Sequence, residues 1–177
     1  FASGSTDRLQ SNNLTDDLKA QGLATAGQTL RIYDANGVIG GPIRQDKLWF
    51  SSSHRRSGHR DLIGGLYKDA NEDARVYGAP AAVWKFAPDP GQPVKPTEDN
   101  EAHNVRLTWQ ASAKDKVTIS ESVQKASMFW EIDNPIRAPE AAIHQEYPNK
   151  IAQVMWSHPA TNRLLFEAGV TILRAEQ

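Results

Sequence analysis

The sequence contains no cysteine, which removes disulfides, zinc–cysteine sites and cysteine nucleophiles together. No unbroken apolar run approaches the ~18 residues of a membrane helix, which excludes a helical membrane protein. Charge is nearly balanced, with 20 Lys and Arg against 21 Asp and Glu. A non-specific nucleic-acid binder would carry a basic excess, so no nucleic-acid partner is expected. No Gly-x-Ser-x-Gly nucleophile elbow is present. Gly40-Gly41 and Gly64-Gly65 lack the spacing of a phosphate-binding loop. No basic segment followed by an apolar stretch opens the chain, so no signal peptide is read there. The chain starts at Phe1 and stops at Gln177 directly after an alternating apolar run, and it is expected to be a piece of a longer protein. These absences leave open a β-protein in which apolar and polar residues alternate. A transmembrane β-barrel is of that kind, and it looks soluble by an average such as the mean hydropathy of −0.57 found here.

The pattern that is present has period two. Val105, Leu107 and Trp109 share one side of a strand, with Arg106, Thr108 and Gln110 on the other. Past Lys114-Asp115, Val117, Ile119 and Val123 alternate with Thr118, Ser120, Ser122 and Gln124, giving an antiparallel hairpin. A second hairpin joins Ala152, Val154 and Trp156 to Leu164, Phe166, Ala168, Val170 and Ile172, with Glu167, Gly169 and Thr171 opposite. Leu165 and Leu173 interrupt the polar side of that last strand. A third hairpin turns at Ile43–Lys47. Strands are expected near 28–42, 47–57, 103–112, 116–127, 147–157 and 162–175. Long loops are expected at 8–27, 58–101 and 128–146, with short helical turns at Asp16–Ala20 and Asn71–Tyr77. Five prolines between Pro80 and Pro96, and several glycines from Gly58 onward, keep 58–101 from being regular sheet throughout.

Three tight turns (43–47, 113–116, 158–162) therefore alternate with three long loops. In an up-and-down meander all the tight turns fall at one end and all the long loops at the other. Outer-membrane barrels have that asymmetry, with short periplasmic turns and long extracellular loops. Arg163–Leu173 is long enough, since ~9–11 tilted residues cross the bilayer. Trp49, Trp109, Trp156 and Phe166 lie within a few residues of the tight turns, while Phe129, Trp130 and Tyr147 lie where strands enter long loops. Those are the two heights of aromatic interface anchors. The expected fold is all-β: an antiparallel up-and-down meander, 1–177 forming a sector of a transmembrane β-barrel. The same alternation also suits a soluble secreted β-sandwich that binds carbohydrate or protein. A β-rich hydrolase is a third class.

The stretch Gly37-Val38-Ile39-Gly40-Gly41-Pro42-Ile43-Arg44-Gln45-Asp46-Lys47-Leu48-Trp49-Phe50 resembles the barrel of TonB-dependent outer-membrane receptors of the Oar-like type, whose chains open with a carboxypeptidase-regulatory-like domain. Val105–Ser112 with Lys114-Asp115-Lys116, and Trp156–Gly169, resemble the same barrels in the same order. Ser51 departs from them, standing where the family often has another aromatic. The resemblance implies a receptor that takes up or passes a ligand across the outer membrane of a Gram-negative-type bacterium. Its partners would be outer-membrane lipid, an unidentified extracellular ligand and the TonB energy-coupling complex. That complex acts through a plug, and nothing in these 177 residues resembles a plug. No enzymatic activity and no cofactor are implied.

The candidate ligand-binding residues are the aromatics of the long loop: Tyr67, Tyr77, Trp84 and Phe86. Trp49, Trp109, Trp156 and Phe166 are the expected membrane-interface anchors. The cluster His54-Arg55-Arg56-Ser57-Gly58-His59-Arg60-Asp61 raises metal binding, but two histidines five apart on an extended strand point to opposite sides. No metal site is expected of that pair. Val105, Leu107, Val117, Ile119, Phe166, Val170 and Ile172 would face lipid. Arg106, Thr108, Gln110, Thr118, Ser120, Ser122, Glu167 and Thr171 would line the lumen.

Overall fold

The computed structural model describes residues 1–11, 13–23, 25–131 and 139–176, with the side chains of residues 9, 130, 131 and 140 left aside. Seven strands form one antiparallel sheet: β1 (Ala2–Thr6), β2 (Gln28–Arg44), β3 (Leu48–Leu62), β6 (Thr97–Gln110), β7 (Lys116–Glu131), β8 (Ile143–Thr161) and β9 (Leu164–Ala175). They lie in that order, so each strand pairs with its predecessor in the sheet, which makes an up-and-down meander. Between β3 and β6 the chain forms a separate two-stranded ladder, β4 (Tyr67–Asp69) with β5 (Pro88–Pro93).

The six main strands hold 12 to 19 residues, two to three times the usual strand. They stay regular because alternation is sustained and the breakers are placed where the ladder tolerates them. Pro42 sits beside a register shift between Pro42 and Arg44, and Pro159 beside one between Pro159 and Thr161. A bulge is one of the few places in a sheet where the missing proline N–H costs little. Asp46 turns the β2–β3 hairpin at φ 58°, a conformation that Asp adopts more readily than most residues.

Gly58, expected as a break, instead lies inside β3. A Cβ there would stand 2.4 Å from the Glu98 carbonyl oxygen and 2.9 Å from the Tyr33 hydroxyl. The bare backbone lets Tyr33 reach across it and donate its hydroxyl hydrogen to the Asp99 carboxylate. Arg31 lies over the Tyr33 ring at 4.7 Å. β3 therefore runs on to Leu62 and β6 begins at Thr97, so the long connection shrinks from 58–101 to 63–96. The short helix over Asp16–Ala20 is where the sequence placed it, capped by the Thr15 hydroxyl, which accepts from the Leu18 N–H at 3.3 Å. At Asn71–Tyr77 only a 3-10 turn over Glu72–Ala74 forms. β1 was not anticipated. The expected loop at 128–146 is shorter on both sides, and its residues 132–138 lie outside the described ones.

Tight turns (45–47, 111–115, 162–163) all fall at one end of the sheet, and the connections β1–β2, β3–β6 and β7–β8 at the other. The tight-turn end is stepped in one direction. Leu48, the first residue of β3, pairs with Trp109, one short of the β6 end at Gln110. Lys116, the first residue of β7, pairs with Ser157, and β8 runs four residues further, to Thr161. Among the described residues the sheet is a single layer: the buried apolar side chains, Tyr67, Val94 and Pro139, belong to the connections and not to the sheet.

Candidate functional site

Residues directly opposed in an antiparallel ladder share a face, so the registers sort the sheet into two faces. One carries three consecutive cross-strand rows that are almost wholly apolar. The first is Leu48, Trp109, Val117, Trp156 and Ala168; the second Gly41, Phe50, Leu107, Ile119, Val154 and Val170. The third is Ile39, Ser52, Val105, Glu121, Ala152 and Ile172, where Glu121 is the sole charge. Toward the long connections the same face turns polar, with His54, His103, Lys150 and Arg174 in the next row and Arg56, Glu101 and Lys125 beyond. The apolar rows are uncovered, Val170 being 64% exposed. On β9 they continue through Phe166 and Leu164.

The opposite face is more polar, with Ser51, Arg106, Ser120, Gln153 and Thr171 in one row, and Ser53, Asn104 and Ser122 beside the apolar Val38, Ile151 and Leu173 in the next. Gln153 donates to the Thr171 hydroxyl at 3.2 Å, Asn104 to the Ser53 hydroxyl at 3.2 Å, and Arg55 grips both oxygens of Asp34 at 3.0 and 2.7 Å. All the residues expected to face lipid lie on the apolar face, and all those expected in a lumen lie on the polar one.

The four expected interface aromatics do not stay together. Trp109, Trp156 and Phe166 stand on the apolar face near the tight turns, Phe166 opposite His158. Trp49 pairs with Thr108 and Pro42 and stands on the polar face. Nearness to a turn had placed it, whereas position parity against Trp109 decides its side. Trp130's side chain lies outside the described residues.

Of these three aromatics Trp156 has the best-defined surroundings. Its indole N–H donates to the Asp115 carboxylate at 3.1 Å, and its ring stacks on His158 with centroids 5.7 Å apart. Asp115 closes the β6–β7 turn and also accepts from the Ser112 hydroxyl at 2.6 Å and faces His158 Nδ1 at 2.7 Å. The Ser112 hydroxyl bond, followed by those from His158 and Trp156, holds the Asp115 carboxyl below the usual carboxylate range. Ser, Asp and His meet here in the wrong order for a nucleophilic triad, in which the imidazole must stand between hydroxyl and carboxylate. Ser112 touches the carboxylate directly, so the cluster ties the turn and anchors an indole.

The connection 63–96 encloses a small core, against which the Pro139–Ala141 turn of the β7–β8 connection also packs. Val94 is 1% exposed, Tyr67 9% and Asp69 4%. The Asp69 carboxylate accepts from the Asn71 and Ala87 N–H groups, each at 3.0 Å, and pairs with Arg75. Arg75 Nε in turn donates to the Val83 carbonyl at 3.0 Å. The Tyr67 hydroxyl shares a 3.1 Å hydrogen bond with Thr25. This corrects one candidate: Tyr67 is a core residue of the loop, because β4 points it inward. Tyr77, at 106%, Trp84 and Phe86 remain exposed. Arg75 bonds the two segments that carry Tyr77 and Trp84, so these aromatics are displayed on a braced scaffold. No sequence signal marked Asp69 as its hub, since two of its partners are the backbone N–H groups of Asn71 and Ala87 and the third, Arg75, is brought to it only by the folded loop.

His54 and His59 lie on opposite faces of β3, as their spacing required, and His54 meets His103 instead. Among the described residues no three His, Asp or Glu side chains converge as a metal site, and no helix is long and apolar enough to cross a membrane. No protein-family model, no curated protein and no solved structure matches the chain.

Proposed function

We propose that this chain is a section of the wall of a TonB-dependent outer-membrane receptor, through which a ligand is taken up or passed. The single observation that carries the barrel-wall part is the uncovered apolar belt on one face of a long single-layer meander. Three adjacent rows of apolar side chains facing water would be an aggregation surface, and lipid is the solvent that suits them. On β9 the belt runs over Leu164–Ile172, nine residues. That is ~30 Å of strand at ~3.4 Å per residue and ~23 Å of height at a tilt of ~40°. An outer-membrane apolar band is ~25 Å tall. The stepped tight-turn end supports the same reading, because closing a barrel requires a stagger in register.

The strands exceed the ~9–11 residues that crossing needs, and the excess lies on the long-connection side, where the apolar face becomes charged. The wall would thus project beyond the bilayer and carry the 63–96 unit, with Tyr77, Trp84 and Phe86, toward arriving ligand. Trp109, Trp156 and Phe166 would sit at the opposite, periplasmic interface. The receptor class and its coupling to TonB rest on the resemblance of the Gly37–Phe50 stretch. Lipid dependence tests the wall: the chain is expected to stay monodisperse and β-rich only with detergent or phospholipid. A monodisperse, cooperatively folded chain in plain buffer would overturn it in favour of a soluble β-protein.

A further inference from the structure

We propose that His54 and His103 form a binding site for a divalent transition-metal ion of the copper or nickel type, held through their Nδ1 atoms. The two residues are direct cross-strand partners on β3 and β6. Their ring centroids lie 5.1 Å apart at an interplanar angle of 55°, and the two Nδ1 atoms stand 2.9 Å from each other. Two imidazole nitrogens come that close only with a hydrogen or a cation between them.

The two Nδ1 atoms share a hydrogen bond here, and with a metal ion in place of that hydrogen their separation sets the bite. At metal–nitrogen distances of about 2.05 Å, a 2.9 Å nitrogen separation corresponds to a nitrogen–metal–nitrogen angle of about 90°. A tetrahedral zinc site would open the pair to about 3.3 Å. Right-angled nitrogen ligands belong to the tetragonal geometry of Cu2+ and Ni2+. The surroundings suit an open site. His54 Nε2 lies 2.8 Å from the Ser52 hydroxyl, which fixes the ring as outer partners of metal-bound histidines do. His103 Nε2 faces the Glu101 carboxylate at 4.0 Å. Ala35 and Gly37 on β2 leave a depression of about 350 Å³ beside the pair, lined also by Arg55, Arg56 and Glu101, with Arg56 held 3.4 Å from the Glu101 carboxylate, and it gives room for water to complete the coordination. The site lies one row above the apolar belt, on the solvated part of the sheet, and does not depend on the membrane reading.

Copper titration of the refolded full chain, followed by electron paramagnetic resonance, tests it. One Cu2+ per chain is expected, with hyperfine structure from two equatorial nitrogens, and Ni2+ should compete at least as well as Zn2+. His54→Ala and His103→Ala should each abolish that signal, while His59→Ala, on the other face of β3, keeps it. On the unmutated chain, copper should protect two of the five histidines from diethyl pyrocarbonate, and peptide mapping should identify them as His54 and His103. A one-nitrogen spectrum, copper binding that survives the double substitution, stronger competition by Zn2+ than by Ni2+, or protection of other histidines would overturn the assignment.

Discussion

Val170 and Thr171 are adjacent on β9 and lie on opposite faces of the sheet, and a single substitution at each tests whether the apolar face meets lipid and the polar face a lumen. Val170 is 64% exposed on the apolar face, opposite Val154. Thr171 is on the polar face, accepting from Gln153 at 3.2 Å. In water Val170→Arg would be nearly neutral, since the side chain it replaces is already solvated. In a bilayer an arginine on the lipid side costs about 2–4 kcal/mol at the midplane and less toward the interfaces. Val170 is one alternate position from Ala168, the middle of the Leu164–Ile172 run. That offset is ~5 Å of height, so a cost of about 2–3 kcal/mol is expected. Thr171→Arg loses one exposed hydrogen bond, worth under about 1 kcal/mol. The assay is urea unfolding of the chain refolded into phosphatidylcholine vesicles, followed by tryptophan fluorescence, with both variants against the unmutated chain. Equal costs, or a larger cost at Thr171, would refute the assignment of faces to lipid and lumen.

Gly58→Ala should destabilise the sheet by about 1–3 kcal/mol, as an overpacked site does, because its Cβ would meet the Glu98 carbonyl at 2.4 Å; urea unfolding measures this, and an unchanged midpoint would contradict the close packing under Tyr33. Arg75→Met removes the guanidinium that pairs with the buried Asp69 carboxylate and bonds the Val83 carbonyl, so limited proteolysis should cut within 63–96 much faster while the main sheet unfolds at the same urea concentration. The Asp115 carboxyl lies below its ordinary value when folded. Its contribution to stability is therefore complete above the unfolded value of about 3.9 and is lost as pH falls through the lower folded value. Unfolding midpoints between pH 6 and pH 2 should accordingly drop less in Asp115→Asn than in the unmutated chain; parallel curves would show that the turn contributes no acid sensitivity.

Some of this could be read from the sequence because β-structure writes its period locally. Val105–Gln110, Val117–Gln124 and Leu164–Ile172 each declare two sides without reference to any partner, and the faces they declare are those of the sheet. Thr15 followed by Asp16-Asp17 marks a helix start in the same local way. Other features depend on chain segments far apart. Gly58 reads as a breaker until Tyr33 and Asp99, 25 residues before and 41 after it, are seen to close over it. Tyr67 reads as a loop aromatic until β4 pairs with β5 and turns it inward.

What the sequence by itself determined is the class of structure: long amphipathic strands, tight turns alternating with long connections, and no cysteine chemistry. Alternation of side chains along an extended chain needs only local geometry, so it is visible residue by residue. The register between strands was decided by the tertiary structure alone. It sent Trp49 to the face opposite Trp109, aligned the apolar residues of six strands into one belt, and brought His54 to His103 across 49 residues of chain. Register is the sum of many weak cross-strand contacts and bulges along the whole sheet, and no single segment of the sequence contains it.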